Sequence, residues 1–141
     1  MWCVIMHEWS LAEAVVATAL ENAQKNHLKK ITAMKVVLGE LQQIEEDIFS
    51  FALNELKKET ILEDAKIEIV VQEAVFKCRV CGHEWNYRDV LKTLDEETTE
   101  SIHFVPELSH SFIKCPKCGS PDFEVIKGRG VWIEYIKGVG E

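Results

Sequence analysis

Between residue 9 and about residue 26, inside an alanine-rich run, Leu11, Val15, Ala19 and Asn22 or Ala23 recur every three or four positions. That spacing lays them along one stripe of an amphipathic helix. Ser10, with Glu13 three residues later, reads as its N-cap and capping box. His27, Lys29 and Lys30 suit the dipole at its far end. Residues 31–41 are rich in β-branched side chains and read as a strand, with Met34, Val36 and Leu38 on one face. Glu45, Glu46 and Asp47 then open a second helix, whose stripe runs through Ile44, Ile48, Phe51, Ala52 and Leu56 to about Lys58. Residues 66–76 alternate as one strand, with Ile67, Ile69 and Val71 on one side, and run straight into Cys78.

The second half is punctuated differently. Residues 87 to about 100 carry a helical pattern, and residues 123–126 and 131–136 read as two strand pieces bent at Gly128-Arg129-Gly130. Val131, Trp132, Ile133, Tyr135 and Ile136 are too apolar to hang in solvent, so the closing piece is expected to return as a third strand beside the first two. The expected fold is α+β: two helices on a small three-stranded mixed sheet, with an inserted four-cysteine zinc-ribbon domain. Residues 1–73 with 129–141 would form the discontinuous first domain, and residues 74–128 the ribbon.

Cys78-Arg79-Val80-Cys81-Gly82 and Cys115-Pro116-Lys117-Cys118-Gly119 are two C-x-x-C-G knuckles. Two intervening residues let both sulfurs of a knuckle face one point, and two knuckles complete the tetrahedral shell of a structural zinc. A glycine after each second cysteine can take a positive φ and fold the backbone towards the sulfurs. A shell of four thiolates accepts iron as well, and sequence does not separate the two metals. Either way the shell is closed and leaves no position for a substrate. Disulfides and a thioredoxin-type pair fit less well, because the start has no secretory pattern and each knuckle runs into glycine.

At 141 residues and a net charge of −8, with the acid concentrated in the first half, the chain lacks the basic stripe that nucleic-acid binding needs. No apolar run approaches a membrane span. A zinc-ribbon module contacting nucleic acid or RNA polymerase is therefore the second reading. No constellation for hydrolysis is present, so an enzyme is not expected.

Met6-His7-Glu8 ahead of an alanine-rich helix, Val37-Leu38-Gly39-Glu40-Leu41 at a strand end, the two knuckles and Gly128-Arg129-Gly130 before the closing strand form a set. Together they resemble the HypA-type nickel metallochaperones of nickel–iron hydrogenase maturation. The 33 residues between Cys81 and Cys115 resemble the archaeal, long-insertion branch. The resemblance implies a structural Zn(II) on Cys78, Cys81, Cys115 and Cys118, and Ni(II) as transient cargo. The nickel histidine of the family maps onto His7, its neighbouring acid onto Glu8, and an insertion histidine in an Ile-His-Phe context onto His103. It also implies cytoplasmic delivery of nickel, with the GTPase HypB, to the hydrogenase large subunit precursor. One departure stands out: family members begin at the Met-His-Glu, whereas Met1 to Ile5 precede it here. Either Met6 is the true start, or the amine is lost as a ligand and Cys3 comes within reach.

Overall fold

The computed structural model describes residues 2–91 and 113–140, the side chains of residues 2–6 and 91 excepted. The chain divides into two compact units, Met1–Val37 with Ile44–Val70 and Trp132–Glu141, and Leu38–Gln43 with Val71–Val131.

In the first unit the leading helix, α1, covers Trp2–Lys25. No glycine or proline interrupts residues 1–25, so the helix starts well before the expected residue 9. Ser10 is therefore an exposed mid-helix residue and not a cap. Glu8, Ala12, Val15, Val16, Ala19 and Ala23 form the buried stripe of α1. After β1 (Leu28–Gly39), α2 spans Glu46–Leu56 and packs against α1. Phe49, Ala52 and Leu53 are its buried residues, while Phe51, expected in the stripe, is 58% exposed and meets Trp9 edge to face. The apolar positions of α2 exceed what one face can bury, and the face that packs is centred on Phe49, Ala52 and Leu53 instead.

The sheet of this unit has the order β2-β1-β6, with β2 at Lys66–Gln72 and β6 at Val131–Gly140. Gly39 N–H donates to Gly130 O (2.8 Å), and far along the strand Thr32 Oγ donates to Lys137 O, so β1 and β6 run antiparallel. Met34, Val36 and Leu38 are buried as expected and alternate with Lys35, whose ammonium lies 2.8 Å from Glu134. The closing strand is thus the third strand of the sheet and extends past its expected end to Gly140.

In the second unit a three-stranded antiparallel sheet has the order β4-β3-β5, with β3 at Val75–Cys78, β4 at Glu84–Asn86 and β5 at Phe123–Lys127. Residues 66–76 are consequently not one strand. The chain leaves β2 at Gln72 and joins a different sheet at Val75, because Ala74 is held at the junction. Its N–H donates to Glu40 Oε1 (2.9 Å), and Gly128 sits so close that a Cβ there would lie 2.3 Å from Ala74 Cα. A short helix, α3, spans Tyr87–Leu91; the rest of the helix expected to about residue 100 lies outside the described residues.

The turn Glu40–Gln42 belongs to this unit and clasps the bend before β6. Leu41 N–H donates to Gly128 O, Gln42 Oε1 accepts Gly130 N–H, and Gln72 Oε1 accepts Gly128 N–H. Below the sheet Phe76, Trp85 and Phe123 meet with centroids 5.1–5.6 Å apart, and Tyr87 closes on Phe76 at 6.0 Å. This aromatic cluster is the floor on which the cysteines stand.

Candidate metal centre

Cys78 ends β3, Cys81 lies in the turn to β4, and Cys115 and Cys118 occupy the turn ahead of β5. The register that places Cys78 opposite Phe123 draws the knuckles together. All four Sγ atoms lie within 4.8 Å of one another, with Cys78 and Cys118 at 3.5 Å and Cys81 and Cys115 at 3.6 Å. A tetrahedron with metal–sulfur bonds of ~2.3 Å has edges of ~3.8 Å, so the four sulfurs fit one ion. Sulfurs at these distances are thiols, not disulfides, whose bond is ~2.05 Å.

The knuckle backbones carry out part of what was expected of them. Gly82 (φ 78°) and Gly119 (φ 76°) take the left-handed conformation, but their N–H groups donate to the carbonyls of Cys78 and Cys115. Other amides aim at sulfur, among them those of Val80 and Cys81, each 3.4 Å from Cys78 Sγ. Arg79 ties the two knuckles with an ion pair to Asp122 (3.0 Å).

Four thiols this close cannot all ionise without a cation. The amides of Cys81 and then Val80 pull the Cys78 thiol down to about 7, against the cost of burial. Cys115 is also lowered: burial raises it, and the amides of Cys118 and Lys117 outweigh that. The Ser120 amide favours the Cys118 thiolate, but hydrogen bonding to its neighbours, Cys78 foremost, and burial push it up to about 12. A divalent cation held by the four sulfurs would replace those last protons. Among the described residues, these cysteines are the one group of three or more metal-ligand side chains with converging donor atoms.

His7 and Glu8 lie on the second turn of α1. His7 is half-buried with Nε2 shielded from solvent, and Glu8 is fully buried. Burial raises the Glu8 pKa, and the charge of Glu45 adds to it. The amides of Glu45 and Glu8 itself pull the other way without forming a hydrogen bond to either carboxylate oxygen. His103 falls outside the described residues. His83 stacks on Trp85 (6.1 Å, 12°) while its carbonyl accepts Cys78 N–H, which gives it a supporting place. Sequence reasoning missed Glu40, which grips Ala74 N–H and Arg88 at once. The only hint was its position in the Gly-Glu-Leu segment.

The family profile described as "Hydrogenase/urease nickel incorporation, metallochaperone, hypA" matches residues 6–138. Similar proteins include the hydrogenase maturation factor HypA of Pyrococcus horikoshii, 58% identical over 132 residues that cover 94% of this chain and 95% of that one. The HypA of Thermococcus onnurineus is 56% identical over 132 residues, with coverage of 94% and 95%. In fold the chain is similar to the solution structure of the Ni metallochaperone HypA from Helicobacter pylori. The TM-score is 0.62 at 21% identity, covering 95% of this chain and 98% of that chain.

Proposed function

Because the chain belongs to the HypA family of hydrogenase and urease nickel-incorporation metallochaperones, we propose that it carries Ni(II) as cargo on His7, with Glu8 and His103 as further ligands. It then passes the ion, together with the GTPase HypB, to the hydrogenase large subunit in the cytoplasm. Zn(II) on the four cysteines is the resident metal and keeps the second unit folded. The observation that carries this reading is the family match, which opens at Met6 and so takes in the His7-Glu8 pair. Moving an ion between proteins makes or breaks no covalent bond of a substrate, so the chain is a metallochaperone and not an enzyme.

Ni(II) favours a square plane of nitrogen ligands, which an imidazole and adjacent deprotonated amides can supply. The amides around His7 lie in α1, where the regular i to i−4 pattern engages them. Glu8 is sealed from water. Loading nickel on this dipeptide therefore requires the first turns of α1 to unwind, and refolding of the helix favours release. A ligand set held by a reversible local transition suits an ion that must leave again.

Titration of the zinc-loaded chain with Ni(II), read by absorption and by helical circular dichroism, tests this. One equivalent should bind, a planar Ni(II) absorption band should appear, and a small part of the helical signal should be lost. His7→Ala should abolish both changes, and His103→Ala should alter the band. Undiminished nickel uptake by His7→Ala would remove the basis of the reading.

A further inference from the structure

Two close sulfur contacts in the four-cysteine shell cross from one knuckle to the other. Cys78 Sγ lies 3.5 Å from Cys118 Sγ, and Cys81 Sγ lies 3.6 Å from Cys115 Sγ. Each contact also joins a buried cysteine to an exposed one, since Cys78 and Cys115 are buried while Cys81 and Cys118 face solvent. The approach to the exposed pair is open: Gly82 and Gly119 follow them directly, and a Cβ on either glycine would meet nothing within 4 Å. The shell therefore offers two sulfurs that a small solute reaches. Beside each, in the opposite knuckle, stands a buried sulfur that has to close by only about 1.5 Å to reach the ~2.05 Å of a disulfide.

We propose that these cysteines form a redox device: a hydroperoxide converts them from a metal shell into two crossed disulfides, Cys78–Cys118 and Cys81–Cys115, which let the ion go and keep the second unit folded in its place. The inference rests on the reading of the four cysteines as the shell of a resident metal. Cys118 Sγ attacks the peroxide, the O–O bond breaks, and a sulfenic acid forms as water leaves. Cys78 Sγ then attacks Cys118 Sγ. The S–S bond forms, the S–O bond breaks, and the oxygen leaves as a second water. Cys81 and Cys115 repeat the sequence. Each disulfide passes two electrons to one peroxide, two protons from solvent complete the two waters, and no thiolate is left to hold a cation. Which pairs form decides whether the unit survives. A bond within one knuckle closes a loop with two residues inside it and ties down nothing else. The crossed bonds span 40 and 34 positions, and a cross-link removes more freedom from the unfolded chain the longer the loop it closes. They also join the turn after β3 to the turn ahead of β5, which preserves the register that places Cys78 opposite Phe123.

Oxidation of the zinc-loaded full chain tests this, in a Cys3→Ser background that leaves these four as the only cysteines. Metal content is measured first: a chain purified without metal on its cysteines overturns the shell reading and the inference with it, whereas the later outcomes bear on the inference alone. Two equivalents of hydrogen peroxide per chain should release the ion to a chromogenic chelator, and a thiol reductant with added zinc should restore it. Cleavage after Lys77, Arg79, Lys114 and Lys117 puts the four cysteines in four separate peptides, so mass spectrometry reads the pairing directly. Cys78 is expected linked to Cys118, and Cys81 to Cys115. Tryptophan emission of the oxidised chain should stay that of the zinc-loaded form, unlike that of the reduced chain stripped by chelator. Bonds within the knuckles, sulfinic acids in place of disulfides, zinc retained after oxidation, or an oxidised chain that emits like the stripped one would each overturn the proposal.

Discussion

Glu8 brings a carboxylate to a position closed to solvent, where neither oxygen makes a hydrogen bond among the described residues. Its folded pKa is raised, first by desolvation, above an ordinary value of 4.5. Between those two values the folded chain holds a proton that the unfolded chain has released. Stability contributed by this residue is therefore intact below pH 4.5 and is lost as pH rises through the folded pKa. Glu8→Leu, similar in volume and neutral, should remove that dependence and raise stability near neutral pH by about 1–3 kcal/mol. Urea unfolding followed by helical circular dichroism over that pH range checks it. If wild type and variant fall in parallel, Glu8 is not the source. The four cysteines were legible in the sequence because ligand type and spacing are local properties. The burial of Glu8 and the low pKa of Cys78 were not, since both depend on groups brought near by folding.

The elements that hold the cysteines depend on one close backbone approach. Gly128 has φ 89°, and a Cβ there would collide with Ala74, which lies in the link between β2 and β3. Gly119 has φ 76°, but a Cβ there would enter open space. Gly119→Ala should therefore cost only the left-handed strain, ~1–2 kcal/mol. Gly128→Ala adds a backbone collision and should cost about 3 kcal/mol or more. Urea unfolding of the zinc-loaded variants, read by tryptophan emission, separates them, and equal losses would show that the contact with Ala74 contributes nothing. At this scale the sequence revealed element types better than boundaries. The two long helices, β1 and β6 follow from periodicity. The break between β2 and β3 does not, because Glu73-Ala74 contains no turn residue and the bend is imposed by Glu40 and Gly128 from distant parts of the chain. Phe51 misled for a related reason: α2 offers more apolar positions than one face can bury, and packing against α1 chose among them.

Across the whole chain, the two compact units draw on different sources of stability. The 24-residue α1 and the 11-residue α2 both lie in the first unit, over an aliphatic core that includes Ile31, Met34, Val36 and Leu53. Among its described residues the second has a sheet of three short strands, a short helix and a small aromatic cluster, with two of its cysteines buried beside that cluster. A metal on the four cysteines would add to so small a core: structural zinc contributes apparent free energies of ~10–16 kcal/mol in zinc-finger peptides. Removing the ion leaves four crowded thiols, one already inclined to ionise at about 7. Trp85 is the one tryptophan of the second unit, whereas Trp2, Trp9 and Trp132 belong to the first. Chelation should therefore shift the Trp85 part of the emission to the red while most of the helical ellipticity survives. Cys78→Ser should reproduce that state without a chelator, because three remaining thiolates leave the shell open. The comparison is made by following emission and ellipticity in one chelator titration, with zinc release measured in parallel. Ellipticity that collapses in step with zinc release would mean that the first unit cannot stand when the second unfolds.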